Sequence, residues 1–307
     1  MKKHFPGYYN YTDRELKTIW GKGYFVFDTC VLLNIYYLSS QKKVFLDILD
    51  KLKDRIQLPY HIAEEYHKNI FNKINEQYQH FNDIKNKVSQ LKTCIQDGSR
   101  QGLWDSKEER DTMLEQISSI EIKINKVQNN NLYADLRSKI ADLFTPALCD
   151  KLPSDLLENM KQEAIQQLST NSVPGFKDKK KSNGNQYGDF IIWKSLQHIA
   201  INKKRPIIFV TEDIKTDWFA SINNIHYARP DWINDFILTT QQSILIYTLA
   251  QFIDIYSARS KENLTELKSE IKEAQAIRQY ENENTKEHSS SNTGNIDDNT
   301  GVSDTEG

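Results

Sequence analysis

The sequence predicts an α/β protein organised round a central parallel sheet. Three observations carry this. Tyr24-Phe25-Val26-Phe27-Asp28 and Ile207-Ile208-Phe209-Val210-Thr211 are short aromatic and β-branched runs without polar alternation, as buried parallel strands are. Each leads into an acid, Asp28 directly and Asp213 two residues on, and ligands in such sheets bind beyond the carboxyl ends of the strands. Amphipathic helical segments separate the runs, as crossover connections require.

The elements follow in order. Thr12-Asp13-Arg14-Glu15 is a capping box that opens a helix through Trp20, with Gly21 and Gly23 expected to stop it. Residues 24–28 form the first strand. Val44, Phe45, Ile48, Leu49 and Leu52 line one face of a helix over 41–53. Arg55-Ile56-Gln57-Leu58-Pro59 reads as a second strand ended by Pro59, and a helix carrying Glu64 and Glu65 begins near Tyr60. From about Lys68 an apolar stripe of Phe71, Ile74, Tyr78, Phe81, Ile84, Val88, Leu91 and Ile95 continues at helical spacing until Asp97-Gly98-Ser99. Ser106-Lys107-Glu108-Glu109 is a second capping box, and Gln128-Asn129-Asn130-Asn131 marks a turn. Further helices are expected over 132–144 and 154–168.

The domain organisation expected is residues 1–66 as the first part of the α/β domain, 67–170 as a helical insertion of antiparallel hairpins, and 171–258 as its second part. A Gly- and Lys-rich loop over 174–188 precedes a helix opened by Asp189, apolar round much of its girth. A strand over 207–211, a helix over 231–238, a strand over 244–247 and a helix capped by Thr248-Leu249-Ala250-Gln251 complete it. Residues 259–307 are read as helical and then, from about Thr285, as a disordered tail of Ser, Asn, Asp, Thr and Gly.

The chain has 307 residues, with 40 Lys plus Arg against 42 Asp plus Glu, so any basic surface must be local. Cys30, Cys94 and Cys149 are odd in number and lack metal-knuckle spacing, which reads as reduced thiols in a cytoplasmic protein. The opening residues have no apolar signal-peptide core, and no apolar run approaches a membrane span.

Four acids are expected to converge. Asp28 ends the first strand, Glu65 lies on the helix after the second, Asp189 begins a helix, and Asp213 follows the 207–211 strand with Asp217 a turn further on. Carboxylates and water suit Mg²⁺ or Mn²⁺, and one or two such ions serve phosphodiester chemistry. Plainer readings compete. Asp189 also suits a helix N-terminus for its dipole alone, and Glu64 and Glu65 also suit a solvated helix face. Asp28 is the hardest to explain without function, because an acid between two apolar runs needs a partner for its charge.

The segments Phe25-Val26-Phe27-Asp28-Thr29-Cys30-Val31-Leu32-Leu33-Asn34, Leu58-Pro59 with Glu64-Glu65-Tyr66, Tyr187-Gly188-Asp189-Phe190, Ile208-Phe209-Val210-Thr211-Glu212-Asp213 and Arg229-Pro230-Asp231 together resemble the PIN-like nuclease superfamily, in its larger bacterial form with a helical insertion. The resemblance implies a three-layer fold with a central parallel sheet. It implies a Mg²⁺- or Mn²⁺-dependent endonuclease with Asp28, Glu65, Asp189 and Asp213 as catalytic metal ligands and Asp217 as a further acid. Thr29 and Thr211 would be supporting hydroxyls. Cys30 stands where the family pattern usually has Asn. In-line attack by water would leave a 5′-phosphate and a 3′-hydroxyl on RNA or single-stranded nucleic acid, and a role in bacterial defence or growth control would follow. Lys177, Lys179, Lys180, Lys181, Lys194 and Lys215 lie near the acids in sequence and are candidate phosphate contacts, though a lysine-rich loop is also a solvated loop. The helical insertion offers a surface for a protein partner or self-association. Two rival readings remain: a haloacid-dehalogenase-like phosphatase, which needs a second Asp where Cys30 stands, and a non-catalytic nucleic-acid- or partner-binding module.

Overall fold

The structure is a computed structural model that describes residues 1–98, 102, 104–129, 132–169, 187–214, 216, 218–223 and 225–276. Its centre is a parallel sheet of β1 (Tyr24–Phe27), β2 (Ile207–Thr211) and β5 (Ile244–Thr248), with β2 in the middle. Val26 lies beside Phe209 and Phe27 beside Val210. The Asp28 amide then donates to the Val210 carbonyl at 2.9 Å, which sets Asp28 level with the end of β2. Thr211 is itself paired with Thr248 of β5. All five β2 residues are buried, so the lack of alternation in their sequence has its cause in two covered faces.

The expected second strand over 55–59 is reduced to two bridges. Ile56 pairs with Phe25 and Leu58 with Leu148, both parallel. The Gln57 amide donates to the Phe25 carbonyl at 2.9 Å, and Leu58 exchanges hydrogen bonds with the 147–149 segment instead. The chain thus passes from one neighbour to the other within two residues, and Pro59 allows no further ladder. Topologically the crossing matters. From β1 the chain first goes to the Ile56 side and later returns to β2 on the other side, so the order reverses at β1, the kind of position at whose carboxyl edge open α/β sheets take their ligands.

The helices that accompany the sheet are α1 (Asp13–Lys22), α2 (Thr29–Asn34), α3 (Lys42–Leu52), α4 (Tyr60–Gly98), α5 (Lys107–Asn129), α6 (Leu132–Phe144), α7 (Ser154–Ser169), α8 (Gly188–Lys203), α9 (Pro230–Thr240) and α10 (Leu249–Ser260), followed by a further helix over 265–276. Both halves of the capping box at Thr12 form in α1, and likewise at Thr248 in α10. Gly21 does not stop α1, which runs on to Lys22. An isolated glycine costs a helix only about 1 kcal/mol. Gly23 ends it, and a Cβ there would stand 2.6 Å from the Ile19 carbonyl.

Helix α4 has 39 residues and runs without a break through the 66/67 boundary expected between domain and insertion. Its first turns belong to the main core through Ile62, Tyr66 and Ile70. Its distal part pairs with α5, where Lys92 meets Glu121 at 2.8 Å, and just before α5 the Trp104 indole donates to the Ile95 carbonyl at 3.0 Å. Leu136, Ile140 and Phe144 of α6 and Met160 and Ala164 of α7 return to the main core. Among the described residues no helix is long and apolar enough to cross a membrane.

Two features went unread in the sequence. Phe219–Ile222 (β3) and Ile225–Ala228 (β4) form an antiparallel hairpin between β2 and α9, turned at Asn223 with φ of 51°. Asn tolerates that left-handed conformation well. The second feature is how the segment after α10 docks. Residues 265–276 are helical, and Leu264, Leu267 and Ile271 are buried in the main core. The Glu270 carboxylate accepts from the amides of Ser39, Ser40 and Gln41, capping α3, whose own N-cap residue Gln41 makes no side-chain cap. Burial opposes its ionisation, but these donors outweigh it and hold its pKa below the ordinary value. Glu270→Ala is expected to cost about 1 kcal/mol, the worth of a helix cap, read as a lower thermal midpoint at pH 7. An unchanged midpoint would refute the capping role. The expected tail beyond residue 276 lies outside the described residues.

Candidate active site

The site is built from the carboxyl ends of β1 and β2. Asp28 leaves β1 extended and serves as N-cap of α2, its Oδ1 accepting from the Thr29 amide at 2.7 Å. Its Oδ2 accepts from the Thr211 hydroxyl at 2.6 Å and from the Cys30 thiol at 3.2 Å. Only 7 % of Asp28 is exposed, so these donors replace most of its water.

Glu65 reaches the same place from α4. Its Oε2 accepts from the Thr29 hydroxyl at 2.8 Å. Glu64 instead faces Lys68 at 3.4 Å along the helix. The orientation of α4 is set just behind Glu65, where the hydroxyls of Tyr66 and Tyr36 meet at 2.8 Å in the core. Asp213 is placed by the turn after β2, its amide donating to Thr211 Oγ1 at 3.0 Å. Thr211 therefore holds Asp28 with its proton and Asp213 with its lone pair.

Asp189 stands half-buried in the first turn of α8. Only Lys204, Arg205 and Pro206 join α8 to β2, so the helix runs antiparallel to the strand and its N-terminus is directed toward the end of the sheet where the strands finish. That helix end carries positive partial charge and favours a carboxylate. Helix α8 is held by Trp193 and Gln197, which both donate to Asp235 of α9, at 3.2 and 2.9 Å. Trp193 and Trp218 are each 1 % exposed and pack edge to face, which makes both core residues and not base-stacking platforms.

Electrostatics mark Asp28 apart. Its pKa is pushed up to about 6, first by burial and then by the negative charges of Glu65 and Asp213, while the donors Thr211 and Cys30 act the other way. The Cys30 thiol is itself raised well above its ordinary value, by burial first and then by Asp28 and Glu212. The carboxylates are thus gathered at a cost that a cation would relieve. The donors are all oxygens, which is the set for a hard divalent ion. Among the described residues, however, no three His, Cys, Asp or Glu side chains form a ready metal-binding group.

The remaining expected residues divide in two. Lys194 is paired with Glu163 of α7 at 2.6 Å and covers the Phe190 ring. Lys177, Lys179, Lys180, Lys181, Lys215 and Asp217 lie outside the described residues. Sequence reasoning missed the contact of Gln275, whose amide donates to Glu212 Oε1 at 3.1 Å, next to Asp213. Nothing local signals it, because the two residues are 63 apart in the chain.

The sequence profile of the family described as "PIN like domain" matches residues 24–231, more than half of the chain. The chain belongs to the PIN-like domain family, whose members are generally metal-dependent nucleases. No curated protein and no solved structure matches it.

Proposed function

We propose that this protein is a Mg²⁺- or Mn²⁺-dependent endonuclease that hydrolyses phosphodiester bonds in RNA or single-stranded nucleic acid. The observation that carries this is Asp28: a carboxylate at the sheet's switch point whose pKa is raised first by burial and then by two further acids brought from α4 and the β2 turn. Such a group weakens the fold unless a cation or proton offsets it. Family membership supports the reaction class. The phosphatase reading has less support, because its second Asp would stand at Cys30.

Asp28, Glu65, Asp189 and Asp213 would hold the cation, with Asp217 as a further acid. A divalent ion bound there supplies an activated water and offsets the charge that develops on the phosphoryl oxygens. The chain's own part is placement. Thr29 ties Glu65 to the end of β1, and Thr211 ties Asp28 to Asp213. Asp28 has about four acceptor directions, and the three donors on it leave one open, on Oδ1. The reaction makes no use of a ribose 2′-hydroxyl, so RNA and DNA are both chemically accessible. We read 67–170 as an insertion on this nuclease domain, and Lys177, Lys179, Lys180 and Lys181, which lie outside the described residues, as phosphate contacts.

The test is incubation of purified protein with labelled single-stranded RNA, single-stranded DNA and duplex DNA, with Mn²⁺, Mg²⁺ or EDTA. Metal-dependent cleavage of a single-stranded substrate is expected. Cleavage that persists in EDTA would exclude the mechanism. Metal binding without cleavage of any substrate would favour the binding-module reading.

A further inference from the structure

We propose that Cys30 is a positioning residue of this site: its thiol clamps Asp28 Oδ2 to the turn that carries Asp213, so that Asp28 presents Oδ1 alone to a cation. The inference rests on the metal-dependent reading above and deepens it.

Cys30 lies in the first turn of α2, two residues after Asp28, with its side chain turned back toward the strand end. Three contacts converge on one sulfur. The S–H donates to Asp28 Oδ2 at 3.2 Å, the sulfur accepts from the Glu212 amide at 3.2 Å, and Thr211 Oγ1 stands 3.5 Å away. The thiol therefore bridges the end of β1 to the residue preceding Asp213. Each bond is weak alone. Their joint effect is geometric. With Thr211, the thiol fills both acceptor directions of Oδ2, and with the Glu212 amide it pins the turn. Removing the sulfur takes away one acceptor of the part-buried Glu212 amide and leaves Thr211 as the one side-chain donor on Oδ2, which loosens the tie between two candidate ligands.

An Asn side chain has the same two functions in one group, a donor N–H for Asp28 and an acceptor oxygen for the Glu212 amide. It is therefore the conservative replacement here, and Ala is the disruptive one. Ser keeps a donor and an acceptor on a shorter bond and falls between them.

The test measures Mn²⁺ affinity by calorimetry on metal-free wild type, Cys30→Ala, Cys30→Ser and Cys30→Asn, alongside the infrared S–H stretch of wild type and Asp28→Asn. The band lost in Cys30→Ala or Cys30→Ser identifies the Cys30 thiol. Expected are Mn²⁺ binding about tenfold weaker in Cys30→Ala, the scale of a ligand-orienting residue, recovery in Cys30→Asn, and an S–H band displaced by hydrogen bonding that moves in Asp28→Asn. Should Cys30→Ala not fold, a clear weakening in Cys30→Ser carries the same meaning. Wild-type affinity in Cys30→Ala or Cys30→Ser, or a free-thiol band in wild type, overturns the inference while leaving the nuclease reading intact. A lowered thermal midpoint with unchanged affinity likewise reduces Cys30 to a structural role. Absence of Mn²⁺ binding in wild type removes the metal-dependent reading, and the inference with it.

Discussion

Asp28→Asn is expected to lower cleavage by at least ~10³-fold, the scale of losing a group that stabilises developing charge, while making the metal-free protein more stable at pH 7. The two effects have one cause. Asp28 is a buried carboxylate whose pKa in the folded chain is about 6 against an ordinary 3.8. An acid with a raised folded pKa contributes stability that is fully present below the unfolded value and is lost as pH rises through the folded one. The window therefore runs from about pH 4 to about pH 6, and the stability lost across it is at most about 3 kcal/mol. The amide carries no charge to desolvate, so the variant escapes that loss. The comparison to make is the thermal midpoint of wild type and Asp28→Asn in EDTA between pH 4 and pH 8. Their difference isolates Asp28 from Glu15 and Glu270, whose pKa values are lowered and whose contributions are lost as pH falls. Wild type being the more stable of the two at pH 7 would show that Asp28 is not held against its charge.

The second large effect is stabilisation by the cation. Mn²⁺ or Mg²⁺ at a hundredfold over its dissociation constant adds about 2.7 kcal/mol, which in a chain of this size raises the midpoint by roughly 5 °C. At pH 7 Asp28 is ionised and the ion meets a prepared charge. Below about pH 6 a proton competes for the same oxygens, so the shift shrinks as pH falls. Asp28→Asn removes most of the shift at every pH. Thermal denaturation with and without the ion, at pH 5 and pH 7.5, reads this without any substrate. An equal shift in wild type and Asp28→Asn would place the ion elsewhere.

Much of the fold was legible because its signals are local. The apolar run at 207–211 is β2 residue for residue, since a strand buried on both faces has no polar positions to confuse its ends. Helix α6 keeps the span 132–144, and the Thr12 and Thr248 boxes form as written, because capping involves residues three apart. The same locality explains the misses. The 55–59 segment has strand composition, but its ladder depends on two partners, Phe25 and Leu148, that lie far away in the chain. Gly21 punctuates on paper, but the turns on either side carry α1 through it. The compositional change near Lys68 marks only where α4 leaves the core, not a break in the helix.

The candidate site divides along the same line. An acid at the end of a buried strand, an acid opening a buried helix and a pair of acids at 64 and 65 were written in the chain itself, because residue type and strand position are one-dimensional facts, whereas Thr29 and Thr211 entered only through the family resemblance. Glu65 was singled out over Glu64 by the family resemblance, but the physical reason that it turns inward lies in packing: the Tyr36–Tyr66 contact sets α4, and Thr29 then meets Glu65. The clamp of Cys30 on Asp28 and Glu212 and the reach of Gln275 were decided there as well. Hydrogen bonds of about 3 Å between residues remote in sequence exist only once the sheet has brought the strand ends side by side.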